Sequence, residues 1–163
     1  MLSFIEFSEL LEIAEPETSA SGNTITHSYN LPGATHRIDV IYSKLQHPDK
    51  KDSGTYSVDF QRTKLDSNGK PVSSTFNRRG MASMDAKDRV SGLMAVRHSL
   101  SKFVGEAKPQ RITYIGNTSG KNSFYERGIV APLVSRYNQT NKLDPDHPKA
   151  AKFTGTGVVF PGH

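Results

Sequence analysis

The sequence predicts an α+β fold, in which a mostly antiparallel twisted sheet carries two main helices and is preceded by a short N-terminal helix. Apolar residues recur at every second position through much of residues 24–78, as they do in half-buried strands. A long helix with marked ends follows, and the last third of the chain reads as strand, helix and strand. With 163 residues and 34% hydrophobic content, the chain has room for one core.

The N-terminal segment has the pattern of an amphipathic helix. Ser3 and Glu6 have the spacing of a capping box, which satisfies free N–H groups at a helix start. The stretch from Glu15 to Asn23 is rich in proline, glycine and small polar residues, a composition typical of a linker. We therefore divide the chain into an N-terminal helix with its linker, residues 1–23, and a single α+β domain, residues 24–163.

Two roles are open for the N-terminal helix. Amphipathic helices commonly fold back on the core, but they also bind the grooves of partner proteins. Its apolar face would provide the contact with a protein partner through Phe4, Phe7, Leu10 and Leu11.

An antiparallel meander is predicted next. Its strands lie near Ile25 to Leu31, Ile38 to Tyr42, Tyr56 to Phe60 and Val72 to Phe76. The run Asp66-Ser67-Asn68-Gly69 predicts the tight turn before the last of them.

The longest helix has signals at both ends. Ser83 fits the N-cap, Gly105 fits the residue after the helix, and Pro109 stops any continuation. Its predicted buried stripe is Val90, Leu93, Val96 or Arg97, Leu100, Phe103 and Val104.

A strand at Ile112, a second helix and a last strand complete the fold. The second helix spans about Asn122 to Tyr137, and Pro132 should kink or split it because proline lacks the N–H group. The last strand lies near Gly157 to Phe160.

Composition narrows the function classes. The net charge of +5 favours contact with anions, but its density is below that of a dedicated nucleic-acid binder, so nucleic acid is a weakly supported partner. The absence of cysteine excludes disulfides, thiolate metal sites and thiol nucleophiles, and no histidines pair at zinc-ligand spacing. No apolar run reaches the roughly 18 residues that span a bilayer, which predicts a soluble protein without a membrane partner.

Asn77-Arg78-Arg79-Gly80-Met81-Ala82 lies between the last meander strand and Ser83, and Phe124-Tyr125-Glu126-Arg127-Gly128 follows the strand at Ile112. Together with the order of elements, these two motifs resemble the GCN5-related N-acetyltransferase superfamily, and most closely its degenerate members in tailed bacteriophages. That family holds the pyrophosphate of acetyl-CoA with a Gln/Arg-x-x-Gly-x-Gly/Ala motif placed between a meander strand and the next helix. The corresponding stretch of this sequence keeps the spacing but changes the first residue. The resemblance implies a cofactor-binding set consisting of Asn77, Arg78, Arg79, Gly80, Ala82, Ser83 and Asn117.

The second motif is Phe124-Tyr125-Glu126-Arg127-Gly128, which looks like the family's aromatic-Tyr-Glu-basic run and is one residue short before Gly128. The resemblance implies that Tyr125 is the general acid that protonates the CoA thiolate. The alternative is an aromatic side chain packed on the sheet.

A nucleotide-binding loop is the competing interpretation of Gly116 to Lys121. Such a loop needs four residues between its glycines and a hydroxyl after the lysine. Here the spacing is one residue short and Asn122 follows Lys121.

The sequence thus leaves two functions open. The favoured one is a small basic phage-type protein that keeps the acetyltransferase-like scaffold and binds a macromolecular partner, as a virion-associated component or as an inhibitor of a host protein. The alternative is an active N-acetyltransferase that uses acetyl-CoA. Either would act in the cytoplasm of a bacterial host cell or in the virion.

Overall fold

The computed structural model describes residues 15–31, 33, 35–46, 54–76, 86–114 and 126–163, and the predicted N-terminal helix lies outside this part of the chain. The described residues form an eight-stranded mixed sheet and two α-helices, which confirms the α+β class. The elements are β1 (Glu17–Ser21), β2 (Thr24–Asn30), β3 (His36–Lys44), β4 (Thr55–Leu65), β5 (Pro71–Phe76), α1 (Ala86–Ala107), β6 (Arg111–Thr113), a π-helical turn (Glu126–Val130), α2 (Ala131–Thr140), β7 (Lys152–Phe153) and β8 (Gly157–Val159).

The four predicted meander strands are present, as β2 to β5, and each pairs antiparallel with the next. The predicted turn also forms. The Asp66 carboxylate accepts hydrogen bonds from the backbone N–H groups of Asn68 and Lys70, at 2.8 and 2.9 Å, which fixes the turn geometry.

Strand β1 lies within the stretch whose composition predicted a linker. It pairs antiparallel with β2 from Glu17 opposite Ser28 to Ser21 opposite Thr24. The two-residue connection contains Gly22 with φ of 57°, a conformation that glycine adopts without steric strain. All five residues of β1 are exposed, so the strand has no apolar alternation by which the sequence could reveal it.

One edge of β4 is divided between two partners. Thr55 to Ser57 pair in parallel with β6, and Gln61 to Leu65 pair antiparallel with β5. The other edge of β4 pairs with β3 along nine residues. Because β6 continues to β8 and β7, β4 joins the N-terminal meander to the C-terminal part of the sheet.

Helix α1 departs from its prediction at two positions. It continues to Ala107, so Gly105 lies inside the helix and does not follow it. Lys108, with φ of 46°, takes the left-handed position after the helix, directly before Pro109. Val90 was predicted to be buried but is 49% exposed, because the described part of the helix packs on the sheet only from its middle onward.

The predicted second helix is split at Pro132, as expected. A π-helical turn ends at Val130, and Pro132 falls in the first turn of α2, where its missing N–H group breaks no helical hydrogen bond. Arg97 on α1 donates a hydrogen bond to the Gly128 carbonyl within the π-helical turn, which ties this turn to α1.

The C-terminal hairpin confirms the last predicted strand and adds a short strand, β7, that the sequence did not indicate. Asn138 on α2 fixes the start of β7, because its side-chain oxygen accepts a hydrogen bond from the Ala151 N–H at 2.8 Å and its amide donates to the Ala151 carbonyl at 3.3 Å. A side chain on a helix thus takes the place of a strand partner.

The core lies on the face of the sheet that both helices cover. The Tyr42 ring stacks on Phe103 of α1 with ring centroids 3.9 Å apart, and both side chains are fully buried. The same core cluster includes Ile38, Val40, Phe60, Ile112, Val158 and Phe160 from the strands and their ends, Val96 and Leu100 from α1, and Leu133 from α2.

Candidate functional site

All site residues predicted from the resemblance lie outside the described residues. The candidate pyrophosphate stretch, Asn77 to Ser83, belongs to the connection between β5 and α1. Asn117 and Tyr125 belong to the connection between β6 and the π-helical turn. Their roles stay predictions, and the described residues present three other polar features.

The first feature is a buried polar cluster between the sheet and α1. The Ser99 hydroxyl lies 2.7 Å from Nδ1 of His27 and 2.8 Å from the hydroxyl of Tyr42. The Tyr29 hydroxyl lies 2.7 Å from Nδ1 of His98. Two hydrogen-bonded groups, one around fully buried Ser99 and one between Tyr29 and half-buried His98, therefore join the sheet to α1.

This cluster contains a serine and a histidine at hydrogen-bond distance, the arrangement of an activated nucleophile. The Ser99 side chain is fully buried, however, and His27 is 1% exposed. A substrate carbonyl has no space next to the Ser99 hydroxyl, so the cluster is structural. Both His27 and His98 are engaged in side-chain hydrogen bonds.

Burial of the cluster also changes its ionisation. Desolvation lowers the pKa of His27, the charges of Lys102 and His98 act in the same direction, and Glu106 opposes them. Desolvation is also the main cause of the lowered pKa of His98. Both imidazoles are therefore protonated only at a lower pH in the folded chain than in the unfolded chain.

We expect the melting temperature to fall below neutral pH because of these histidines. In the unfolded chain these histidines take up a proton near the ordinary pKa of about 6.5, and in the folded chain they do so only at lower pH. Their contribution to the free energy of unfolding is therefore fully present above the unfolded-state pKa and is lost as the pH falls below it. His27→Gln should reduce the slope of melting temperature against pH between about pH 7 and 5. Replacing the exposed His147 with glutamine is the control, and equal slopes for both variants would contradict the prediction.

The second feature is a buried carboxylate on the opposite face of the sheet. Asp39 is 2% exposed and accepts hydrogen bonds from Ser28 at 2.7 Å, Thr63 at 2.9 Å and Gln61 at 3.2 Å. Nε of Arg37 lies 2.8 Å from it. Burial alone would raise the pKa of Asp39, but the four donors together outweigh burial and the pKa is lowered. The carboxylate is fully engaged in joining β2, β3 and β4.

The third feature is a groove of about 380 Å³ between α1 and α2. Each helix contributes one face, with residues at i, i+3, i+4 and i+7: Ser101, Val104, Gly105 and Lys108 from α1, and Leu133, Arg136, Tyr137 and Thr140 from α2. Asn141 and His163 complete the lining. We call this the α1–α2 groove.

The α1–α2 groove has an apolar floor and a basic rim. Val104 and Leu133 form the floor, and the exposed Lys108 and Arg136 lie on opposite sides of it. Among the described residues that line it, none has an acidic side chain. The His163 ring is held at one end, 2.8 Å from the Pro109 carbonyl and 3.2 Å from the Tyr137 hydroxyl.

Gly105 borders open space in the groove. A Cβ atom at this position would meet nothing within 4 Å. A glycine inside a helix is less stable than alanine by about 0.5–1 kcal/mol, and it usually has a packing or functional reason. The sequence interpretation of Gly105 as a helix end concealed this role.

The net charge of the chain is carried by its C-terminal third, which contributes Lys108 and Arg136 to the groove. Residues 107–163 carry a net charge of +5, equal to that of the whole chain, and residues 1–106 are neutral overall. The basic residues of this part are Lys108, Arg111, Lys121, Arg127, Arg136, Lys142, Lys149 and Lys152, and the acidic ones are Glu126, Asp144 and Asp146. The overall charge alone, from which the sequence interpretation started, did not reveal this asymmetry.

Comparisons with known proteins identify no relative. No protein-family model matches the chain, and neither a curated protein nor a solved structure is similar to it. Within the described ranges, neither helix combines the length and apolar character needed to cross a membrane. In the same part of the chain, no three histidine or carboxylate side chains gather as metal ligands.

Proposed function

We propose that this chain is a small basic phage-type binding protein on an acetyltransferase-like scaffold, and that it recognises an acidic surface of a macromolecular partner. The partner is a protein, which the chain meets as a virion-associated component or as an inhibitor of a host protein. The observation that carries the proposal is the α1–α2 groove, with its apolar floor, basic rim and open space at Gly105.

The lining of the groove favours a protein over a nucleic acid. Protein interfaces combine an apolar centre with a charged or polar rim, and grooves between helices accept amphipathic helices through anchors at i, i+3, i+4 and i+7. Lys108 and Arg136 would contact the carboxylates of such a helix, and Val104 and Leu133 would contact its apolar side chains. A nucleic acid would use the charges but not the apolar floor.

The divided edge of β4 supports binding without catalysis. An active acyl-CoA transferase needs a splayed strand pair into which its cofactor inserts. β4 and β6 pair in parallel only as far as Ser57, but from Gln61 onward the same edge of β4 is hydrogen-bonded to β5. The chain's own strand therefore fills most of the edge beyond the point where β4 and β6 part.

The binding proposal is tested by capture from a bacterial lysate on immobilised full-length chain. Lys108→Glu combined with Arg136→Glu should reduce the amount of specifically captured protein by roughly tenfold, because both rim charges are reversed. The matched control is Lys64→Glu combined with Lys70→Glu, which changes the net charge equally at exposed positions outside the groove. Gly105→Phe should also block capture by filling the groove. If the groove and control variants capture the same proteins equally, the proposal fails.

The alternative function, an active N-acetyltransferase using acetyl-CoA, rests on the resemblance of the two sequence motifs. Where β4 and β6 part, Val58 and Phe60 line only a core cavity of about 20 Å³, together with Ile112 and Tyr114. In the same experiment series, acetyl-CoA at millimolar concentration distinguishes the two functions. A rise in melting temperature that Arg79→Ala removes would favour the enzyme, and no rise favours the binding protein.

A further inference from the structure

The N-terminal segment has a charge opposite to that of the α1–α2 groove. Its first 17 residues contain five glutamates, Glu6, Glu9, Glu12, Glu15 and Glu17, and no lysine or arginine. The apolar residues of its predicted helix, with Phe4, Phe7 and Leu11 on one face, match a groove with an apolar floor. The chain thus carries a segment with the chemistry that the groove recognises.

The attachment point of this segment lies on α1, the helix that provides one side of the groove. Glu15, where the described chain begins, forms an ion pair with Lys102 of α1 at 3.2 Å. Lys102 directly follows Ser101, which lines the groove. Residues 4–14 would extend about 16 Å as a helix, and the α1 face from Ser101 to Lys108 is about 10 Å long, so the segment is long enough to cover it.

We propose that residues 4–13 of the chain bind in the α1–α2 groove of the same molecule and that a partner must displace them. The proposal rests on the proposed function, because it describes how access to the same groove is regulated. Tethering at Glu15 favours the intramolecular complex, since a short linker gives an effective concentration in the millimolar range. Lys108 and Arg136 then contact the segment's glutamates, and the space over Gly105 receives one of its large apolar side chains.

Paramagnetic relaxation in the full-length chain tests this directly. The natural sequence has no cysteine, so Thr140→Cys introduces a single attachment site for a nitroxide label at the groove rim. We expect the label to broaden the amide signals of residues 4–13. The same label at Asn68→Cys, on the turn between β4 and β5, is the control and should leave these signals sharp. Sharp signals with the label at residue 140 would overturn the proposal.

A mixed sample separates the same molecule from a second copy. Isotope-labelled chain without nitroxide is combined with unlabelled chain that carries the nitroxide at residue 140. Broadening in this mixture equal to that in the single-molecule sample would show binding between two copies and overturn the intramolecular proposal. Sharp signals in the mixture, together with broadening in the chain that carries both the isotope label and the nitroxide, support the intramolecular proposal.

Charge reversal in the N-terminal segment tests whether its release opens the groove to a partner. Glu6→Lys, Glu9→Lys and Glu12→Lys together should abolish the broadening and raise partner capture severalfold, since the competing segment is released. Lys108→Glu with Arg136→Glu should also abolish the broadening. If capture depends on the groove but the broadening is absent, the proposed function stands and this inference fails. If the broadening is present but no groove-dependent capture is found, the intramolecular contact stands, and the proposed function and the displacement by a partner fail.

Discussion

Asp39→Ala is expected to lower the free energy of unfolding by about 3–5 kcal/mol, the range for removing one partner of a buried charged network. The substitution leaves the buried donor of Thr63 and the half-buried donors of Ser28 and Gln61 without their acceptor. It also leaves Arg37 without its counter-ion. Urea denaturation at pH 7, read by circular dichroism, measures the change.

Two further variants distinguish the loss of the Asp39 hydrogen-bond network from the general effect of losing one acidic residue. Asp59→Ala removes an exposed carboxylate from the neighbouring strand β4 and should change the free energy by less than about 0.5 kcal/mol. Asp39→Asn keeps a hydrogen-bond acceptor but loses the charge, so its effect should lie between the two. If Asp39→Ala and Asp59→Ala were equally stable, the carboxylate would contribute nothing to joining the three strands.

Gly157→Ala is expected to destabilise the fold by roughly 3 kcal/mol, at the upper end of the range for overpacking. Gly157 lies opposite Thr113 in the β6–β8 ladder, and an added Cβ would overlap the Ile112 carbonyl oxygen and contact the Thr113 backbone. Both atoms belong to the backbone of a central strand, so neither can move aside as a flexible side chain would. Thermal unfolding followed by circular dichroism measures the loss.

Gly105→Ala is the matched control and should act in the opposite direction. The same substitution there meets open space inside α1, so it should raise the free energy of unfolding by about 0.5–1 kcal/mol. Two glycine-to-alanine changes in one protein would thus differ in sign because only one site is closely packed. Tolerance of alanine at residue 157 would mean that β6 and β8 do not approach so closely in solution.

The sequence was sufficient to predict those elements that a pattern of neighbouring residues marks. Period-two apolar residues predicted β2 to β5, and the chemistry of proline predicted the division of the second helix near Pro132. Strands β1 and β7 were missed for a physical reason. All residues of β1 are exposed, and β7 has two residues whose start depends on a contact between Asn138 and Ala151, so neither leaves a periodic pattern.

The candidate groove was not predictable from local signals. Its two faces come from helices about 30 residues apart in the chain, and only their packing brings Lys108 and Arg136 to the same opening. A glycine near the end of a helix looks the same in the sequence whether it follows the helix or lies inside it and lines a groove. Gly105 lies inside α1 because the helix continues for two more residues, to Ala107. Asp39 was equally hidden, since its alternation with apolar neighbours is that of an ordinary solvent-facing strand position.

The divided edge of β4 has a mechanical consequence. In the described sheet, the ladder between the N-terminal meander and the C-terminal strands consists of three residue pairs, Thr55 to Ser57 with Arg111 to Thr113. The β3–β4 ladder, by comparison, has nine pairs. A pulling force that separates the meander from the C-terminal strands would therefore have to break far fewer ladder hydrogen bonds than one that separates β3 from β4.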